Sequence, residues 1–225
     1  VTGILLAQVN RLAPQASRDE SGVLKNVDFD VQAQQVLAAY GTLSRQLPFF
    51  NQTVEAPKHT RVIGRIMSYF NVAGIYVPFT AEAVVSSDSV ASHIPFHTAH
   101  EAAHAMGVAL EDEANFAAAL CCFSSDNTLI SYSGYLNAYI YCSNALCRVN
   151  LDEANKLSNQ LCKEAVTDIL TLNAHLAKYE TPVKQVGDAV NDAYIKATGV
   201  PDGVQSYGRM VDLLIAWYAH LGVLK

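Results

Sequence analysis

His100-Glu101-Ala102-Ala103-His104 sets two imidazoles four residues apart, with a carboxylate beside the first. On a helix, residues at that spacing lie one above the other on a single face. Both rings can then reach one Zn2+ at about 2.0–2.1 Å. Glu101, one position past the first ring, would flank the ion. Zinc lowers the pKa of bound water to about 7, and a neighbouring carboxylate can take its proton as the water attacks a carbonyl. Two solvated histidines on a polar helix face would be written with the same letters, so the surrounding residues must decide.

A catalytic zinc usually has three protein ligands and one open position. Gly107 is a credible helix stop, because glycine accepts the left-handed conformation that ends many helices. The chain can reverse there and start a second helix near Glu111, returning a carboxylate to the two histidines. Glu113 competes for that role, and Glu111 is preferred. Glu111 and Asn115 share a face, so Asn115 is expected to hydrogen-bond a ligand histidine and fix its tautomer. Glu-Asp-Glu at a helix start is also what the helix dipole favours without any metal. His97, His100 and His104 fall near one face at i, i+3 and i+7. An all-histidine set is thus conceivable, but Pro95 puts His97 in the first turn, where it and His93 read as rim or structural residues.

Peptide hydrolysis also needs a donor for the charge developing on the attacked carbonyl oxygen. Tyr207, opening the last helix after a glycine-containing loop, is the chosen candidate, with Arg209, Tyr132 and Tyr135 as competitors; a tyrosine packed with its hydroxyl satisfied is the commoner arrangement. Tyr76–Thr80 reads as an edge strand along which a substrate peptide could lie, with Glu82 bordering the cleft. Pro78 blunting an ordinary edge is the alternative. No phosphate-binding loop or nucleophile elbow is present.

The elements that must position these residues are mostly helical. Residues 30–46 read as a helix, with Val31, Val36, Leu37, Tyr40, Leu43 and Leu47 near helical spacing and Pro48 as a stop. Residues 60–70 read as another helix. Residues 74–80 and 83–85 are β-rich, and Pro78 within them indicates an edge strand. From about residue 97 onward the pattern is helical, with long helices expected over 151–179, 183–198 and 206–221. The fold class is therefore mainly α (α+β), with a small edge sheet just before the HExxH helix, and residues 1–225 are read as a single domain.

Half of the 225 residues are apolar (51%), enough for a sizeable core. The formal charge of −6 and the lack of a basic stripe exclude a nucleic-acid surface and give no reason for adhesion to an anionic membrane. No window reaches the roughly 18 consecutive apolar residues of a membrane span. The sequence begins at Val1, with no initiating Met and no signal peptide, and is read as trimmed or processed. Val1–Leu6 fits either the frayed end of a membrane helix or, preferably, a short amphipathic one. The five cysteines (121, 122, 142, 147 and 162) are odd in number and form no CxxC pair. They read as small buried hydrophobes rather than a disulfide framework or thiolate site.

HExxH followed by a helix with Glu111 and Asn115 resembles the gluzincin pattern. Glu-Asp-Glu-Ala-Asn-Phe-Ala-Ala over 111–118 is similar to the E-x-x-A-N-x-F-A segment of ImmA/IrrE-type metallopeptidases, although Phe116 directly follows Asn115 here. The resemblance places the third zinc ligand at Glu111. More of the chain resembles an uncharacterised bacterial family, a domain of unknown function whose members look like membrane-anchored zinc peptidases. Tyr76–Ala83, Pro95-Phe96, the block from HExxH to EANF, Tyr132–Tyr135 and Ser206–Arg209 carry that likeness. It implies a zincin-like fold, a protein or peptide substrate, an N-terminal anchor beyond these residues, and a soluble domain outside the cytoplasm at the bacterial membrane. The expected function is a zinc metalloendopeptidase with His100, His104 and Glu111 on Zn2+ and Glu101 as general base. A non-catalytic zincin-fold sensor and a metal-dependent hydrolase of another amide are the alternatives. Neither oligomeric state nor cleavage preference can be read from these residues.

Overall fold

The polar segment before the β-rich stretch already departs from the helix expected over 60–70. The computed structural model describes residues 1–60, 63–70, 72–180 and 207–222, without the side chain of Tyr207. Lys58–Thr60 is a strand, β1, pairing in parallel with β3 (Glu82–Ser86), while β2 (Gly74–Val77) pairs antiparallel with β3. The order is β1-β3-β2, so β1 and β2 are both edge strands among the described residues. Lys-His-Thr carries no alternation of apolar and polar residues, which is why β1 is silent in the sequence. The His59 ring stacks on Phe29 with centroids 4.2 Å apart. The expected helix is cut to Gly64–Tyr69, α3. Pro78 follows β2 rather than interrupting it, and Ala81, at φ 56°, closes the turn into β3.

Helices enclose this sheet on one side. α1 (Thr2–Leu12) is amphipathic and buries Leu5, Leu6, Val9 and Leu12, packing mainly on α6 (Thr128–Val149). Burying side chains of this size contributes about 1.5–3 kcal/mol each. α2 (Phe29–Leu43) is capped by Asp28, whose carboxylate accepts from the Val31 amide. α4 (Ile94–Ala105) has Pro95 in its first turn, where a missing N–H costs nothing. α5 (Glu111–Phe123) is buried along most of its length through Ala114, Ala117–Ala119, Leu120, Cys121 and Cys122. Those small side chains let it lie close to α2, α4 and α6 at once. Cys121, Cys122 and Cys142 are buried free thiols, as read from the sequence, whereas Cys147 is exposed. No described helix is long and apolar enough to cross a membrane.

The long helix expected over 151–179 is two: α7 (Leu151–Ser158) and α8 (Lys163–Ala177). Leu157, Leu161 and Ile169 still pack against the core, which is why their spacing reads as one helix. The break comes from outside the segment. The Asn10 side-chain amide donates to the Gln160 carbonyl at 2.7 Å, and its oxygen accepts from the Cys162 amide at 2.8 Å. A side chain of α1 thereby supplies the partners that an unbroken helix would have supplied itself. The last described helix, α9 (Tyr207–His220), matches the expectation, while the helix expected over 183–198 lies outside the described residues.

One buried polar knot ties the N-terminal loop to α6 and α8. Asp168 accepts from Arg18 through both carboxylate oxygens (2.9 and 2.7 Å) and from the Tyr132 hydroxyl at 2.6 Å. Removing the carboxylate leaves the Tyr132 hydroxyl unpaired in the core and the part-buried Arg18 with only the Ala13 and Gly22 carbonyls as acceptors, a loss of about 3–5 kcal/mol. Asp168→Ala should lower unfolding stability by that amount in urea titrations, and Asp168→Asn by less. An Asp168→Ala variant within 1 kcal/mol of the parent would show that the knot stabilises nothing.

Candidate metal centre

The site forms where α4 ends, the chain reverses and α5 begins. Gly107 takes φ 92°, a conformation in which any Cβ would be strained, and the Val108 amide folds back to the Ala103 carbonyl at 3.0 Å. The reversal brings Glu111, the first residue of α5, over the face of α4 that carries His100 and His104. The two Nε2 atoms lie 3.0 Å apart. Glu111 Oε2 is 3.1 Å from His100 Nε2, and Oε1 is 3.6 Å from His104 Nε2. One ligand atom from each residue fits within a 4.8 Å spread, a group that can hold a metal ion. Glu113 is exposed and outside this group, so the choice of Glu111 agrees with the geometry.

Two nitrogens and a carboxylate form the ligand set of one class of catalytic zinc sites. The tautomer of His104 suits that use. Its Nδ1 sits 2.7 Å from the Val108 carbonyl, which can only accept, so Nδ1 carries the hydrogen and Nε2 faces the other two groups. Asn115 was expected to fix a ligand ring, but although buried on α5 it makes no hydrogen bond to His100 or His104. A backbone carbonyl does the work. His100 Nδ1 is buried with no partner among the described residues.

Charge in the site follows from these contacts. Burial disfavours the Glu111 anion, yet hydrogen bonds and charge from His100 and His104 hold its pKa far below the usual carboxylate range. Burial likewise opposes a charged His104, but hydrogen bonding and charge from Glu111 outweigh it and raise its pKa. Glu101 behaves oppositely. Burial pushes its pKa up against the pull of His100 and His104, and its Oε2 is buried with no partner among the described residues. A carboxylate so placed is free to accept a proton.

β2 closes one side of the site. Ala73 accepts from the Ser86 amide at 2.8 Å and lies opposite it, so Ala73 and Ile75 spend their backbone groups on β3. In antiparallel pairing the intervening residues point theirs the other way. Gly74 and Tyr76 therefore present N–H and C=O groups to the open edge, and share the sheet face that packs on α4. A Cβ built on Gly74 would come within 2.3 Å of Glu101 Oε1. Sequence reading passed over Gly74, though a glycine inside a strand often marks a close approach.

Other expected residues fall elsewhere. Tyr132 is fully buried on Asp168 and is not an available donor, and Tyr135 stacks on Phe123. Tyr207 opens α9, but its side chain lies outside the described residues. Glu82 is held by Lys58 across β3 and β1. His97 is largely enclosed beside Ser89 and does not join the metal-capable group, so the all-histidine set is not formed. His93 is buried against Ser92, a structural residue rather than a pocket rim.

Fold and site together define a mainly helical protein with a three-stranded sheet and a convergent His-His-Glu group. Residues 1–215 match the family described as protein of unknown function (DUF3810), and the chain belongs to that family. No curated protein and no solved structure matches it.

Burial lowers the His93 pKa to about 4, with His175 adding a smaller like-charge contribution. The unfolded chain takes up this proton near pH 6.5 and the folded chain near 4, so His93 favours the fold above pH 6.5 and loses that effect as pH falls. Stability should drop by about 1.4 kcal/mol per pH unit between those values on account of this one group. His93→Asn should flatten the urea-midpoint profile there; an unchanged slope would locate the acid sensitivity elsewhere.

Proposed function

We propose that this chain is a zinc-dependent metallopeptidase of the gluzincin kind, with a zincin-like fold. The observation that carries the reading is the convergence of His100, His104 and Glu111 beside a buried, unpartnered Glu101 carboxylate. Those three residues would hold Zn2+, which supplies a Lewis acid and acidifies a neighbouring water. A site that only holds a metal for structure has no use for the fourth group, Glu101, whereas a hydrolytic site does.

In this reading Glu101 takes the proton of the attacking water and returns it to the leaving amine. Its raised pKa suits both transfers, since a group titrating nearer neutrality can accept and then release. The substrate is an extended segment of a protein or peptide laid along β2, where the backbone groups of Gly74 and Tyr76 can pair with it. Tyr207 remains the proposed donor to the developing oxyanion. The bacterial membrane-anchored setting implied by the resemblance belongs to the same proposal.

Glu101→Gln keeps the size of the side chain and removes the base. It should bind zinc like the parent and lose about 10²–10⁴-fold in cleavage of a peptide library. Equal cleavage by parent and variant on every substrate would end the peptidase reading. Chelator competition should show His104→Ala and Glu111→Ala losing more zinc affinity than the 10–100-fold typical of an outer-shell change. Glu113→Ala should leave affinity unaltered, and a comparable loss there would misplace the third ligand.

A further inference from the structure

Gly74 is the first residue of β2, the strand whose backbone comes up against the candidate base, and its reason for being glycine can be isolated. Positive φ angles occur among the described glycines at Gly22, Gly107 and Gly222, not at Gly74. The strand conformation at 74 is therefore open to alanine. What excludes a side chain is space. An added Cβ would lie 2.3 Å from Glu101 Oε1 and 2.5 Å from both Cδ and Cγ. Real Cβ atoms do not approach other heavy atoms that closely, and three consecutive atoms of one side chain are involved, so a small tilt of the carboxylate does not relieve it.

Glu101 has little room to retreat. It is only 4% exposed, and its helix is fixed by Ala99, Ala102 and Ala103, all fully buried, with the Tyr40 hydroxyl donating to the Ala99 carbonyl at 2.8 Å. β2 is similarly constrained, because its far side is laced to β3 in register.

We propose that Gly74 is a positioning residue: the bare α-carbon of the edge strand is the seat on which the Glu101 carboxylate rests, fixing it between β2 and the His-His-Glu group. Its catalytic meaning rests on the peptidase reading, whereas the seating itself rests on packing alone. Gly74 also turns its backbone groups to the open edge, so one residue sets the base and the substrate strand in a common frame. A displacement of about 1 Å in such a group can cost 10²-fold in rate.

The test is a cycle of the full chain loaded with zinc: parent, Gly74→Ala, Glu101→Ala and the double variant. Thermal midpoint and zinc affinity are measured for all four, kcat and KM for parent and Gly74→Ala. The expected result is that Gly74→Ala lowers the midpoint while Glu101 is present and has little effect once Glu101 is alanine. Zinc affinity stays within a few-fold, and kcat falls about 10²-fold or more with KM changed far less. An equal loss of midpoint in both backgrounds, or a Gly74→Ala variant with parental kcat, would overturn the proposal. Should Gly74→Ala fail to fold, a folded double variant upholds the seat and an unfolded one refutes it. If no form cleaves any peptide, the peptidase reading fails, and the midpoint cycle alone still decides the packing.

Discussion

Three lone-pair-bearing groups pointed at one another need a hydrogen or a cation between them. His100 and His104 face each other through Nε2 atoms 3.0 Å apart, with the Glu111 carboxylate against both. Since Nδ1 of His104 is committed as a donor to Val108, its Nε2 can face its neighbours favourably only with a proton or a metal ion in the gap. A proton satisfies the arrangement at the cost of a raised imidazole pKa. A divalent cation satisfies it without one. A metal ion bound there would have to displace that proton.

The larger architecture follows as support for that position. α4 and α5 are joined by a reversal too short to wander, and α5 is built of alanines and cysteines so that it can press against α2, α4 and α6 together. The sheet adds a second requirement: it must approach the HExxH helix closely enough to exclude water from Glu101 while keeping one edge open. A strand of four residues with a glycine at its start meets both.

How far this was legible follows from which forces are local. The helical spacing of the two histidines, the stop at Gly107 and the acidic start of α5 are short-range signals, and the metal-capable group formed from the residues they indicated. The edge strand at Tyr76 was legible for the same reason. β1 was not, because three polar residues become a strand only when β3 offers a partner. The break between α7 and α8 was invisible because Asn10, 150 residues away in sequence, imposes it. Asn115 misled because its spacing suited a bond to a ligand ring, while at His104 a backbone oxygen nearer by had already taken that position. Tyr132 has the chemistry of a donor but is spent on Asp168, a partner that only the tertiary structure reveals.

The acceptor that orients His104 belongs to the main chain, and this has a consequence for how the protein tolerates change. Systematic truncation of side chains through this bend would pass over Val108 without disturbing the oxygen that holds the ring. The sensitive position is instead Gly107, where an added methyl would meet no atom within 4 Å yet would resist φ 92°. A residue whose added side chain would touch nothing thus governs the aim of one that matters, and its importance is written in a torsion rather than in side-chain packing.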